Sequence, residues 1–265
     1  MSIKAEIAQY LASLLDLRVA RKGRVGPLLE DDFLERFFQY FEIDCVFDVG
    51  ANMGQYAKKI RRKLNYKGRI ISFEPIPDVA AQLRREAEKD SLWFVEEVAL
   101  DSVSRPAVFK IMQDPEYSSL RDPESSDIDI HAGPTKIVTA IEVETKTLSE
   151  YFEKYKKLYG FNRPYLKIDT QGNDLDVVKG GCDIISNFVG LQSELAFKRI
   201  YAGSASYRDA IDYYESLGFE LSAFVPNNVG YFPYLFEMDC IMIGKSFLPY
   251  SRLAAPRPFP STVSA

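Results

Sequence analysis

The chain has 265 residues, 46% of them hydrophobic and 27% charged, with a formal net charge of −5. That is globular composition, long enough for a sizeable core in one large domain with extensions. An acidic balance without a clustered basic face argues against a nucleic-acid partner.

Residues 1–42 read as a helical extension. Ile3, Ile7, Leu11, Leu14 and Leu15 fall at helical spacing up to about Leu17, "RKGRVGP" breaks the pattern, and Phe33, Phe37, Phe38 and Phe41 resume it. That Phe stripe is expected to pack on the main domain, with a partner surface as the alternative. Lys4, Glu6 and Asp16 interrupt the N-terminus, so no signal peptide is expected. The longest uncharged run, Leu221–Phe236, holds two Pro, two Asn and a Gly and cannot span a membrane. Cys45, Cys182 and Cys240 lie far apart without a CxxC and are expected as buried thiols. Together these features predict a soluble, cytoplasmic protein.

From residue 43 strand-like and helix-like segments alternate. "CVFDV" precedes the helix "QYAKKIRRKL", and "RIISFEP" precedes "DVAAQLRREAEKD". "LWFVEEVAL" is a strand, and "YLKID" leads to the helix "DLDVVKG". "FVGLQSEL" is followed by the helix "YRDAIDYYESLG", and "FELSAFV" and "DCIMIG" close the series as an antiparallel pair. Such alternation implies βαβ units and a mostly parallel sheet. In the basic run Lys58–Arg69, Ile60 and Leu64 face one way and the charges the other, as on a solvated helix. A β-rich insertion at about 106–148 interrupts the rhythm, placed where a lid or acceptor-binding element would be useful. The main domain is set at 43–245, and 246–265 reads as a loosely held tail.

The turn after the first strand is the prime ligand position in such a sheet. Its sequence is D-x-G-x-x-x-G, Asp48 to Gly54. Gly50 permits a sharp turn and close approach to a ligand. Asn52 tolerates positive φ and stands in for a glycine, and Gly54 lets the next helix pack closely. Glu74 ends the second strand, where a carboxylate accepts hydrogen bonds from ribose hydroxyls. The missing G-x-G-x-x-G argues against a nicotinamide dinucleotide.

These residues resemble the FkbM family of S-adenosylmethionine-dependent methyltransferases. "VFDVGANMGQY", "IISFEPIPD", "EEVALDS", "YSSL", "YLKIDTQGNDLDVVKGG", "LQSEL" and "SLGFEL" carry the resemblance, in the family's order, over roughly residues 44–243. It implies a class I, Rossmann-like α/β fold with a mostly parallel seven-stranded sheet, helices on both faces and an antiparallel last strand. It also implies O-methylation of a sugar, glycan or polyketide-like hydroxyl, with S-adenosyl-L-homocysteine as the other product. On the matching positions, Asp48, Gly50, Ala51, Asn52, Gly54 and Gln55 would hold the methionine end of the cofactor. Glu74, with Pro75, would hold the ribose, and Ala99 and Asp101 the adenine. Gln171 stands where the family has Glu, which removes one potential carboxylate.

Transfer to an alcohol benefits from a general base. With His131 the only histidine, carboxylates are expected to serve. Asp169, at the end of the fourth core strand, ranks first and Glu194 second. His131 and Ser119, in the insertion, would grip the acceptor. Lys167 is placed on the opposite strand face from Asp169, paired with a core acid. Asp174 and Asp176 read as first-turn helix acids with Asn173 as N-cap. No metal is expected to be required, and oligomeric state stays open. An NAD-dependent oxidoreductase and a cofactor-binding, non-catalytic homologue are the rival readings.

Overall fold

The computed structural model describes residues 25–124, 134–226 and 233–248. His131, the segment up to Leu17 and nearly all of 246–265 lie outside the described residues. In chain order the elements are α1 (Val25–Tyr40), β1 (Cys45–Val49), α2 (Gln55–Lys63), β2 (Arg69–Phe73), α3 (Pro77–Ala87), β3 (Trp93–Glu96), β4 (Ala99–Leu100) and β5 (Arg105–Met112). There follow β6 (Ile137–Lys146), α4 (Leu148–Tyr159), β7 (Pro164–Ile168), α5 (Asp174–Lys179), β8 (Gly190–Ala196), α6 (Tyr207–Ser216), β9 (Phe219–Pro226) and β10 (Glu237–Gly244).

Seven strands form one sheet in the order β3-β2-β1-β7-β8-β10-β9. Neighbours β3 to β8 pair in parallel, and β10 runs antiparallel to both β8 and β9. This is a Rossmann-like α/β sheet, mostly parallel and seven-stranded, with the last strand antiparallel. β1 and β7 are buried along their whole length, as a strand covered on both faces must be. One core packs Phe47, Phe73, Phe152, Phe161 and Phe188 between the sheet and α4. The other packs Leu34, Phe37, Phe38, Ile60, Leu83 and Tyr165 on the opposite face.

α1 belongs to that second core. Phe37 and Phe38 meet the Tyr165 ring edge-on, so two of the four stripe residues cover the sheet. The helix begins inside "RKGRVGP", where the sequence suggested a break. Gly26 lies so near Pro226 that a Cβ there would come within 2.7 Å of its carbonyl oxygen. Ile60 and Leu64 are buried as expected, but the charges of α2 are not merely solvated. Arg61 pairs with Asp90, and Lys59 and Lys63 with Glu30 and Asp31 of α1.

Three features depart from the sequence reading. "LWFVEEVAL" is two strands: β3 stays in the main sheet, while β4 joins β5 and β6 in a separate three-stranded sheet, order β4-β6-β5. α4 was not anticipated at all. Thr147 and Glu150 cap it reciprocally, a T-x-x-E box visible in the sequence, and Gly160 ends it at φ 64°. Cys182 is exposed, while Cys45 and Cys240 are buried.

Candidate active site

β1 is the point where the chain's path reverses, with β2 on one side and β7 on the other. Ligands in open α/β sheets bind beyond the carboxyl ends of strands at such a switch. Three loops meet there, after β1, β2 and β7, and enclose a cavity of about 310 Å³.

The first loop is held by backbone geometry. Gly50 and Ala51 both donate to the Phe73 carbonyl, and Asp169 donates to Val49. Gly50 has φ 75°, and a Cβ on it would lie 1.9 Å from the Asp169 carbonyl oxygen. Only glycine fits between the two loops. Asn52 takes φ 48°, as its role as a glycine substitute requires. Gly54, at φ 76°, opens α2 and leaves no room for a side chain against Leu83 and Trp93.

Glu74 receives Asn52 N–H on Oε2 and Ile76 N–H on Oε1, each at 2.9 Å. Each carboxylate oxygen has room for a second donor. Burial pushes this carboxyl up to about 7, although the two backbone donors pull the other way.

Asp169 and Lys167 are two residues apart on an extended chain and therefore share a face. That corrects the expectation that Lys167 points away. Lys167 Nζ lies 3.0 Å from Asp169 Oδ2 and over the Tyr56 ring. Burial alone would raise the Asp169 carboxyl, but the Lys167 charge and hydrogen bonds from Lys167 and Gln171 bring it below its ordinary value. Lys167 is raised, because Asp169 and Asp48 outweigh its desolvation. The Asp169 side chain keeps 41% of its surface accessible while lining the cavity, so a ligand can reach it.

The cavity brings together Gly50, Ala51, Asn52, Gln55, Glu74, Pro75, Ala99 and Asp169 from the sequence-derived set. Among the described residues it does not bring in the others of that set. Asp48 is fully buried behind the wall, where its Oδ2 accepts from Ser72 and burial raises its carboxyl. Gly54 is spent on packing. Asp101 is turned to Ser102 N–H and the Arg105 guanidinium instead of the adenine end. Ser119 is completely buried, donates to the Gln171 carbonyl and so fastens the insertion, not an acceptor. Glu194 opens on a neighbouring cleft of about 30 Å³ with Glu237 and Tyr201. Burial first, then Glu237 and Asp169, push its carboxyl well up.

Sequence reasoning turned Lys167 the wrong way and gave Gln171 no role, while the insertion foreseen as a lid supplies the roof. The small sheet places Phe109, and the segment after β5 places Pro115, Ser118 and Leu120, over the cavity. Asn173 precedes α5 as expected but does not cap it with its side chain, which reaches toward the Leu100 carbonyl. Asp174 is a buried hub, accepting from Thr170, Ser193 and Glu194 N–H.

The cavity fits a nucleoside-bearing cofactor. Glu74 supplies a carboxylate with spare lone pairs at one point. Gly50 leaves a cradle that any Cβ would fill, and Val79, Val98 and Phe109 offer apolar contact for a planar base.

The chain matches the family model described as the methyltransferase FkbM domain over residues 48–221. Among solved structures it is similar to fibrillarin from Aeropyrum pernix with natively bound S-adenosyl-L-methionine, at 13% identity and a TM-score of 0.41, covering 76% of this chain and 66% of that one. It is also similar to magnesium protoporphyrin IX methyltransferase from Synechocystis with bound cofactor, at 9% identity and a TM-score of 0.43, covering 92% and 98%. No curated protein matches it.

Proposed function

The chain belongs to the FkbM methyltransferase family, and from that premise we propose that it methylates a hydroxyl of a sugar, glycan or polyketide-like acceptor. S-Adenosyl-L-methionine is its methyl donor and, when bound, supplies an electrophilic methyl group on a sulfonium. The residues of the chain do the rest.

Glu74 would hold the ribose hydroxyls on its two half-satisfied oxygens. The loop Gly50–Asn52 and Gln55 would hold the methionine part, and Ala99 with Val98 and Phe109 the base. Asp169 accepts the acceptor's hydroxyl proton. One observation carries that assignment: Asp169 is held ionised by Lys167 at 3.0 Å and Gln171 at 2.8 Å, yet remains open to the cavity. An ionised carboxylate at the edge of a largely enclosed site is the form a general base needs. Lys167 keeps its proton and steadies the negative charge while the hydroxyl approaches. The roof of the small sheet limits water, which competes with the acceptor.

The test is Asp169→Asn, assayed by S-adenosyl-L-homocysteine formation against a panel of hydroxylated glycans and polyketides. A general base contributes about 10²–10⁴-fold, so the rate is expected to fall by that factor with cofactor affinity kept. An unchanged rate at neutral pH removes Asp169 from the role.

A further inference from the structure

The residue after Thr170 is held at both its backbone and its side chain. Gln171 has φ 55°, a left-handed conformation that a long side chain adopts only when its surroundings impose it. Gly172 follows at φ 90°, with a Cβ position 2.9 Å from the Tyr201 side chain. The Gln171 carbonyl accepts from Ser119 Oγ at 2.7 Å. Its side-chain amide donates to Asp169 Oδ1 at 2.8 Å and, more loosely, to Glu194 Oε2 at 3.5 Å. Its Oε1 accepts from Tyr201 O–H at 2.7 Å.

Counting hydrogens along this chain exposes a choice. The Tyr201 oxygen lies 2.7 Å from Gln171 Oε1 and 2.9 Å from the Tyr117 carbonyl oxygen. Both are acceptors, and a phenol has one proton to give. Burial raises this phenol far above its ordinary value, so the proton stays. Two arrangements hydrogen-bond Asp169 to Gln171 and Gln171 to Tyr201 in one unbroken chain with no donor facing a donor. In the first, Tyr201 donates to Gln171 Oε1 and the amide N–H meets an ionised Asp169. In the second, the amide is turned over. Asp169 carries a proton on Oδ1 and donates it to Gln171 Oε1, Gln171 Nε2 donates to the Tyr201 oxygen, and Tyr201 donates to Tyr117.

We propose that Gln171 is a positioning residue whose amide holds Asp169 as an ionised, correctly aimed acceptor and turns over when Asp169 takes a proton. The inference rests on the reading of Asp169 as base. In that step the acceptor's O–H bond breaks, the oxygen keeps the electron pair, and the proton forms a bond to Asp169 Oδ1. A glutamate at 171, unlike the amide, offers Asp169 no donor while ionised. It would set two carboxylates about 2.8 Å apart competing for one proton. The glutamine present here therefore does a task that the acid cannot.

Other charges face Asp169 from every side. Lys167 lies on its own strand, Asp48 on β1, Asp174 on α5, Glu194 on β8, and Glu237 and Asp239 on β10. Burial opposes ionisation of Asp169, and the Lys167 charge with the neutral Gln171 donor offsets it.

The experiment is ¹³C NMR titration of the full chain labelled at aspartate Cγ, with the Asp169 signal assigned by its loss in Asp169→Asn. The wild type is expected to titrate below the ordinary aspartate value, about 3.9. Gln171→Glu is expected to raise the midpoint by at least about one unit, and Gln171→Met by a smaller amount in the same direction. In the wild type the Gln171 side-chain ¹⁵N signal should move with the same midpoint as Asp169, and in Tyr201→Phe it should exchange between two environments at neutral pH. S-Adenosyl-L-homocysteine binding by each variant reports that it is folded. Midpoints within about 0.3 unit of wild type in both Gln171 variants, or an amide signal indifferent to Asp169, overturn the proposal. If Asp169→Asn keeps its transferase rate while these shifts appear, the base assignment falls and the coupling of Gln171 to Asp169 stands.

Discussion

Glu74 makes a quantitative demand on cofactor binding. At the end of β2 burial pushes its carboxyl up to about 7, against the pull of two backbone donors. Two ribose hydroxyls donating to it favour the ionised form and return it toward the ordinary range, about 4.5 or below. Binding must then expel a proton wherever the free protein holds one. With a midpoint of 7, about 0.9 proton leaves at pH 6 and about 0.1 at pH 8. The same linkage makes S-adenosyl-L-homocysteine bind about tenfold more tightly at pH 8 than at pH 6. The sign follows from the raised value: the protonated form, dominant below 7, must be undone by the ligand. Isothermal titration calorimetry in buffers of different ionisation enthalpy reads the proton count directly. Glu74→Gln cannot titrate, so its release at pH 6 is expected to fall close to zero. Its affinity should drop by about 10- to 100-fold through lost charge-assisted hydrogen bonds. Subtracting the variant from the wild type isolates Glu74 from Asp239 and Glu237, which burial also raises, to about 7 and about 8. Equal proton release in wild type and variant at pH 6 would refute the reasoning.

Two further outcomes follow from the same geometry. Gly50→Ala puts a methyl group 1.9 Å from the Asp169 carbonyl at φ 75°. The left-handed backbone alone costs about 1–2 kcal/mol. Urea unfolding should therefore show a loss of at least that size, and calorimetry a loss of cofactor binding. Lys167→Met removes the charge that lowers Asp169. The acid limb of the pH–rate profile is expected to move up by at least about one unit, because a carboxylate without its cation holds its proton to higher pH. An acid limb that stays in place would detach Lys167 from the reaction.

The sheet was legible because each core strand is a short apolar run closed by a turn signal, and the helices between them are periodic. The cofactor loop was legible for a local reason: Gly50, Asn52 and Gly54 declare their backbone needs in their residue types. What escaped depends on contacts remote in sequence. β4 pairs with β6, 45 or so residues later, and nothing in "VEEVAL" marks the point where the chain leaves one sheet for another. Asp101 looks like a ligand acid until Arg105 and Ser102 occupy it. Ser119 looks like a substrate hydroxyl until the loop after β7 is laid against it. Glu194 was visible at a strand end, but Glu237 reaches it only because β10 begins where β8 ends. α4, by contrast, was readable from Thr147 and Glu150 but lay in a stretch to which no element was assigned. Lys167 was misplaced although the two-residue period of a strand already put it beside Asp169.

The most direct test is a crystal structure of the full chain with S-adenosyl-L-homocysteine. The ribose hydroxyls are expected on Glu74, the base between Val79 and Phe109, and the sulfur facing the space beside Asp169 and Lys167. A ligand bound elsewhere, or in the cavity with its ribose away from Glu74 and its sulfur turned from Asp169, would contradict the assignment of this cavity as the methyl-transfer site.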